Sequence, residues 1–389
     1  MLRPQFAREQ VSDLELEENH VQDLLRHLPA DFANNDGWTS RVDLEPLFFR
    51  LTLDSATEFL FGESVESQNT ALRQRRTGST TPSAADRGKL DWTAFGPCFD
   101  RATLALSVRA RLSEMYWAYA PRSFFADCRE VHKFADYYVS LALNNDFPAS
   151  APDEEGKTKE RYIFLHELVK ATRDPIELRS QLLNILLAGR DTTAGLLGYT
   201  FYLLVRHPDI YDKLRATILA HFGTFSQPRN VTFVNLKTCT YLQHVLSEVL
   251  RMYANVPINS RRAVQDTTLP RGGGPDGAAP VYVRKGQEVN YVVHMMHHRK
   301  DLWGADADEF RPERWIGRKP GWEFLPFNGG PRICLGQQFA LTEAAYVTVR
   351  LVQRFDKIVN EDPDPVVRHS YSITTAPHSV LVRLHQATE

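Results

Sequence analysis

Apolar residues recur along most of this chain at the three- and four-residue spacing of amphipathic helices. Pro175 begins the longest and most apolar of these segments, and Gly62 closes an earlier one. The predicted helices span residues 12–28, 44–62, 91–119, 122–143, 175–205 and 208–222. Convincing strand patterns come late: 281–286 and 289–293 flank a turn, and 370–384 has hairpin character. The pattern predicts a mainly α fold with small β-sheets at one side.

Residues 64–89 interrupt the helical pattern. They are rich in Ser, Thr, Arg and Gln, and this composition predicts a long polar loop. No internal repeat is found. Since 43% of the residues are hydrophobic, a large core is available, and residues 1–389 are interpreted as a single domain.

Charge and cysteine usage exclude several classes of protein. The chain carries 46 Lys plus Arg against 48 Asp plus Glu, a balance that does not suggest nucleic acid as a partner. The four cysteines (Cys98, Cys128, Cys239 and Cys334) lie far apart without a C-x-x-C pair, which argues against a zinc knuckle or a disulfide scaffold. No apolar run reaches the eighteen or so residues that a membrane span requires.

The most informative segment is Phe327-Asn-Gly-Gly-Pro-Arg-Ile-Cys-Leu-Gly336. It places Cys334 after a Gly/Pro-rich loop and before an apolar, helix-forming run over 337–355. Free backbone N–H groups at a helix start favour an anion, and a thiolate is the form of cysteine that binds metals. Arg332 lies where it can bind a carboxylate, and Gly336 permits a close backbone approach. The alternative is a buried structural cysteine beside a glycine turn.

An acid–alcohol pair, Asp191-Thr192, interrupts the apolar helix that begins at Pro175. The Thr192 hydroxyl is predicted to bond the Ala188 carbonyl four residues back, which bends a helix locally. Gly189 offers no side chain, so space is expected at that bend for a small ligand. Ionisable groups in a buried helix are costly unless they are used. The alternative is a solvent-facing kink with an ordinary Asp-Thr pair.

Glu248 and Arg251 share one face of a mostly apolar helix at the i, i+3 spacing. On an exposed helix such a pair would contribute little. A buried pair needs a third partner, and Arg314 in Phe310-Arg-Pro-Glu-Arg-Trp315 is the candidate.

These motifs and their order resemble the cytochrome P-450 family, whose signature is the F-x-x-G-x-R-x-C-x-G loop. The resemblance implies a cytochrome P-450 fold in which Cys334 is the axial ligand of a haem b iron. It also implies that Arg332, Phe327, Gly336 and Arg261 bind the haem; Arg262 is the rival of Arg261 as the propionate-binding cation. His294, His297 and His298 are interpreted as structural or surface residues, not ligands.

The same resemblance implies haem-dependent monooxygenation, in which one oxygen atom of O2 enters a C–H bond. Thr192 would hydrogen-bond iron-bound oxygen, and Asp191 would help to deliver protons. Glu248, Arg251 and Arg314 would hold the cysteine loop. Segments 188–197, 269–277 and 324–340 resemble the fungal branch that hydroxylates alkanes and fatty acids.

Family resemblance extends the expectation to partners and location. Electrons would come from NADPH through a flavin reductase docking on the cysteine side, where Arg314, Arg318 and Lys319 offer positive charge. The implied location is the cytoplasmic face of the endoplasmic reticulum membrane. A thiolate-haem peroxidase of another fold is disfavoured by the set of Glu248, Arg251 and Arg314.

The first residues, Met1-Leu-Arg-Pro-Gln-Phe, resemble the end of the family's third major helix. The W-x-x-x-R motif, the first strands and the membrane anchor that precede it in the family are absent from the sequence. We therefore expect an N-terminally truncated cytochrome P-450 fold. The alternative function is that of an impaired remnant that binds haem weakly or not at all.

Overall fold

The structure, a computed structural model, describes Phe6 and residues 14–28, 37–77, 92–144 and 162–388. Helices dominate these residues, as predicted. They are α1 (Leu14–His27), α2 (Glu45–Phe61), α3 (Ser67–Thr77), α4 (Trp92–Arg111), α5 (Arg122–Asn144), α6 (Phe164–Val169), α7 (Pro175–Leu204), α8 (Pro208–Phe222), α9 (Phe233–Thr238), α10 (Thr240–Met252), α11 (Val293–His297), α12 (Lys300–Trp303) and α13 (Gln337–Arg354). No helix of the described residues is long and apolar enough to cross a membrane.

The strands form four small antiparallel sheets. They are β1 (Val42–Asp43), β2 (Ile258–Arg262), β3 (Thr267–Gly273), β4 (Ala279–Val283), β5 (Glu288–Val292), β6 (Phe355–Asn360), β7 (His369–Tyr371), β8 (Thr375–Pro377) and β9 (Leu381–Gln386). Strand β9 lies between β1 and β6, and the other sheets pair β2 with β5, β3 with β4 and β7 with β8. The mainly α fold class with small sheets is confirmed.

The two strands predicted around the turn near Gly286 exist as β4 and β5, but they do not pair with each other. Each pairs with an earlier strand instead, β4 with β3 and β5 with β2. The earlier strands carry polar residues and glycines, so the alternation that identifies a strand is weak there.

Helix α7 organises the core. The Asp174 carboxylate caps its start by accepting the Ile176 N–H at 2.9 Å, and Pro175 occupies the first turn, where a missing N–H costs nothing. Its second half, from Thr193 to Leu204, is buried throughout, against α2, α10 and α13 on its different sides. Apolar residues all round this half explain why the helix lies inside the protein.

The predicted loop over 64–89 is wrong in its first part, because residues 67–77 form helix α3. The reason is a tertiary cap. Asp54 of α2 accepts the backbone N–H groups of Ser67 at 2.7 Å and Gln68 at 3.0 Å, two of the groups that a helix start leaves unpaired. A capping carboxylate thirteen residues upstream leaves no local signal. The remainder, 78–89, lies outside the described residues.

The core also contains a buried carboxyl group, that of Glu343 on α13. The Ser55 hydroxyl of α2 donates to it. Burial raises the pKa of Glu343 to about 7, and the Ser55 hydrogen bond opposes this rise. Its ordinary value is 4.5, so the folded state binds the proton more tightly than the unfolded chain does.

This difference predicts a pH dependence of stability. As pH rises from 4.5 to 7, the unfolded chain loses the Glu343 proton first, so the free energy of unfolding falls. We expect Glu343→Gln to remove this fall and to exceed the wild type in stability at pH 8 by up to about 3 kcal/mol. Urea unfolding of both proteins at pH 4.5 and pH 8 measures the effect. If the free energies of unfolding of Glu343→Gln and the wild type differ by the same amount at both pH values, the prediction is wrong.

Candidate active site

A cavity of about 490 Å³ lies between α2, α7, the start of α13 and the loop that precedes α13. Its volume is in the range of small-molecule and cofactor sites. Most of its wall is apolar, and polar groups are contributed by α7, by the segment after α10 and by the loop before α13. The apolar wall includes Phe6, Phe59, Leu60, Ile185, Leu187, Leu196, Leu250 and Phe339, and the polar groups include Asn255, Asn259, Asn328, Arg332 and Cys334.

The hydrogen bond predicted on the α7 wall is formed. The Thr192 hydroxyl donates to the Ala188 carbonyl at 2.6 Å, and Thr192, Ala188 and Gly189 all line the cavity. Apart from the backbone of its own helix, no atom of the described residues lies within 4 Å of a Cβ atom added to Gly189. The predicted space beside Gly189 therefore exists among these residues, and Thr192 also lines the cavity.

Asp191 is placed differently. It is buried but does not line the cavity, and its carboxylate accepts from the Arg190 guanidinium at 3.1 Å. Arg190 also pairs with Asp100 of α4 at 2.5 Å, and Asp100 is half-exposed. Burial raises the pKa of Asp191, and the charge of Arg190 opposes this. The role of Asp191 in proton delivery stays a prediction.

Sequence reasoning missed Arg190 as the partner of Asp191. Neighbouring helix residues point about 100° apart, so the acid and the alcohol of the motif face different surroundings. The available signal was a cation inside an otherwise apolar helix, which needs a nearby carboxylate or aromatic ring. Arg190 has both, since its guanidinium also lies 5.1 Å from the Phe49 ring centre and 5.6 Å from that of Phe99.

The loop before α13 brings four predicted residues to one cavity: Phe327, Arg332, Cys334 and Gly336 all line it. The Cys334 N–H donates to the Phe327 carbonyl at 2.9 Å, which closes the loop on itself. Gly330 has a φ of +68°, a conformation that favours glycine.

The electrostatics of Cys334 differ from the sequence argument. Burial raises the pKa of the thiol, and a hydrogen bond from the Gly336 backbone lowers it only in part. A single backbone N–H offsets only part of the desolvation, and the preference of Cys334 for the thiolate stays a prediction. A metal cation held by Cys334 would add stabilisation, because its own charge deprotonates a coordinating thiol.

Of the two rival arginines on β2, Arg261 is better placed than Arg262 to reach the cavity. Arg262 pairs with Glu114 at 2.7 Å, away from the cavity. Arg261 lies on β2 two residues after Asn259, which lines the cavity, and alternate strand residues share a face. Its guanidinium lies 5.6 Å from the Tyr291 ring, whose hydroxyl donates to cavity-lining Asn328 at 2.9 Å. Arg261 itself does not line the cavity, so its contact with a propionate stays a prediction.

The predicted triad is formed and fully buried. Glu248 accepts from Arg251 through two bonds of 2.9 Å and from the Arg314 Nε at 3.1 Å. The Trp315 indole at 3.0 Å and the Arg311 backbone N–H at 3.1 Å also donate to this carboxylate. Five donors on one carboxylate compensate its burial.

Burial in the triad corrects one expectation about the docking surface. Arg314 is bound to Glu248 and Asp306 and is only 2% exposed, so it offers no charge to a partner. Arg318 is partly exposed, with its guanidinium 4.1 Å from the Trp303 ring, and Lys319 is exposed.

The triad predicts a large effect on stability. Arg251→Ala leaves the buried Glu248 charge without its main partner, so we expect a loss of roughly 3–5 kcal/mol in the free energy of unfolding. The matched control is Lys133→Ala, which removes an i, i+3 pair with Glu130 on the exposed face of α5. We expect less than about 1 kcal/mol there. Chemical unfolding measures the free energy of unfolding of both variants. Similar losses in Arg251→Ala and Lys133→Ala would contradict the prediction.

Comparison with known proteins now identifies the chain. The family model described as Cytochrome P450 matches residues 4–383. This chain belongs to the cytochrome P450 family. It is 52% identical to a cytochrome P450 monooxygenase, g430, of a Fusarium species, over 96% of this chain and 64% of that protein. It is 49% identical to cytochrome P450 52A12 of Debaryomyces hansenii, over 97% of this chain and 71% of that protein.

Solved structures agree on the fold. The crystal structure of the cytochrome P450DA heme domain superposes with a TM-score of 0.73 at 21% identity, and the match covers 100% of this chain and 75% of that one. The chain thus spans 64% of the length of the Fusarium relative and three quarters of the P450DA chain.

Haem iron is the cofactor of this family, and the residues present fit it. Cys334 offers a sulfur donor at the cavity wall, and Arg332 brings a guanidinium suited to a carboxylate. Space for a flat group is left beside Gly336: in the part of the chain that the structure describes, an added Cβ would have Phe6 alone within 4 Å, at 3.8 Å. The donor set and the open glycine surface are the two features that a thiolate-bound haem requires.

Proposed function

We propose that this protein is a haem-thiolate monooxygenase that inserts one oxygen atom of O2 into a C–H bond of a lipophilic substrate. The observation that carries the proposal is the meeting of Cys334 and Thr192 in one apolar cavity. A sulfur donor alone is compatible with haem binding without catalysis. The Thr192 hydroxyl, on α7 beside the open space, adds a group that can hydrogen-bond the polar species formed from O2.

Each residue of the site has a separate task in this proposal. Cys334 would hold the iron, Arg332 would bind a propionate, and Phe327 and Gly336 would contact the haem. Bound haem supplies the oxygen-activating chemistry. The Thr192 hydroxyl donates its proton to the Ala188 carbonyl, so it offers the cavity its oxygen as an acceptor and can donate there only when it leaves Ala188. The apolar residues exclude water and orient the substrate.

For the substrate, we propose a long-chain alkane or fatty acid. The cavity wall is built mostly from aliphatic and aromatic groups, and the resemblance of segments 188–197 and 324–340 to the fungal branch supports the same class. A flavin reductase that uses NADPH is the proposed electron donor. The proposed location is the cytoplasmic face of the endoplasmic reticulum.

The deciding experiment is the spectrum of the reduced, CO-bound protein. We expect the wild type to show the thiolate-type Soret shift and Cys334→Ser to lose it, because serine offers no thiolate to the iron. Cys128→Ser is the control and should keep the shift, since Cys128 does not line the cavity. A wild type without bound haem would instead favour the impaired remnant. A shift that survives Cys334→Ser would exclude Cys334 as the ligand.

A second experiment tests the hydroxyl. We expect Thr192→Ala to keep haem content and the thiolate-type spectrum while product per electron falls about tenfold and peroxide rises, because one hydrogen bond of roughly 1.5 kcal/mol is lost. Thr200→Ala is the matched control: Thr200 makes the same bond, to Leu196 at 2.7 Å on the same helix, but does not line the cavity. Equal coupling of electrons to product in both variants would contradict a role for Thr192.

A further inference from the structure

His297, at the end of α11, is fully buried, and both of its ring nitrogens have partners. Nδ1 lies 3.1 Å from the Arg251 carbonyl, and Nε2 lies 2.9 Å from the Leu325 backbone N. A carbonyl can only accept and a backbone N–H can only donate. The partners therefore require a neutral ring with its proton on Nδ1. Burial agrees, since it lowers the pKa of His297 to about 4.

The two partners of the ring belong to different parts of the site. Arg251 is a member of the triad, and its own guanidinium donates back to the His297 carbonyl at 2.9 Å. Leu325 begins the segment that leads to the cysteine, and the next two residues, Pro326 and Phe327, line the cavity. Since the Cys334 N–H binds the Phe327 carbonyl, the ring lies on a continuous path from the triad to the cysteine loop.

The ring is also held from the sides. Its centre lies 5.3 Å from that of Phe324 and 6.2 Å from that of Trp303. Among the described residues, the triad side chains bond to backbone groups of residues 297–311, and no bond from them to residues 321–336 is found. The imidazole supplies a buried hydrogen-bonded connection between these two segments; a second, partly exposed one runs through Arg318, which contacts the Leu302 carbonyl at 3.0 Å and the Glu323 carboxylate at 3.5 Å.

We propose that His297 is a positioning residue that ties the cysteine loop to the buried triad through its neutral, Nδ1-protonated ring. The triad fixes the helices and turns around Glu248, and His297 transfers that fixed position to Leu325 and so to Cys334. The role of Cys334 as iron ligand rests on the proposed function, whereas the hydrogen-bond link itself does not.

Two substitutions separate the two bonds. In His297→Gln, the amide oxygen reaches the place of Nε2 and can still accept from Leu325. In His297→Asn, the shorter amide reaches the place of Nδ1 and can still donate to Arg251, but the Leu325 bond is lost. His298→Gln is the control, because the His298 ring bonds only locally, to the His294 carbonyl at 2.9 Å.

Hydrogen exchange of the 321–336 segment is the first measurement, made with and without haem. We expect His297→Asn to exchange the Leu325 amide about tenfold faster than the wild type, as the loss of one hydrogen bond implies, and His297→Gln to stay close to the wild type. In haem-loaded protein, the thiolate-type CO band should weaken in His297→Asn and persist in His297→Gln. A purely stabilising role would move melting temperature without this contrast.

Unchanged exchange and an unchanged CO band in His297→Asn would overturn the proposal. Nitrogen NMR of the wild type with labelled histidines gives a test that needs no folded variant. The His297 ring must be in the Nδ1–H form. Its signal is recognised because it does not titrate between pH 6 and pH 8, or because it disappears in a soluble His297 variant. A set of rings without that tautomer would also overturn it. If the wild type shows no thiolate-type band, the proposed function fails, while exchange and NMR still decide the role of His297.

Discussion

The structure around the site depends on one buried carboxylate, that of Glu248. A carboxylate moved from water into a protein interior costs several kcal/mol unless hydrogen bonds and opposite charges compensate it. Glu248 receives five such bonds, and their donors come from α10 and from the turn over 311–315. Arg251 and Arg314 then use their remaining N–H groups on backbone carbonyls of 297–309. A segment with little regular structure of its own is thereby fixed.

This arrangement gives the two walls of the cavity different physical origins. The cysteine side is irregular backbone whose position is specified by buried polar contacts, which are directional. The α7 side is a regular helix whose position is specified by apolar packing on α2, α10 and α13. The cysteine side of the cavity is therefore held by contacts that do not involve the α7 wall that faces it.

Sequence was most informative where the determining contacts are local. The bounds of α2, α7 and α8 follow from apolar spacing and from Pro175, Pro208 and Gly62, and the cavity set around Cys334 is contiguous in sequence. Sequence failed where the contact is tertiary. Helix α3 begins at a cap from Asp54, and Asp191 faces Arg190 and Asp100 rather than the cavity. The Cys334 thiol pKa depends on how much protein surrounds it, which no local pattern encodes.

Two of the buried arginines, Arg251 and Arg190, illustrate how the same residue type can be held tightly or loosely. All guanidinium nitrogens of Arg251 are bonded, so displacing it would break several strong interactions together. Arg190 shares a single nitrogen between Asp191 and the half-exposed Asp100, and its Nε has no hydrogen-bond partner among the described residues. Asp191 can therefore leave Arg190 at a lower cost, because Asp100 stays as the counter-charge. The predicted delivery of protons by Asp191 would use this freedom, whereas the predicted iron ligand, Cys334, would need the rigid support to which Arg251 belongs.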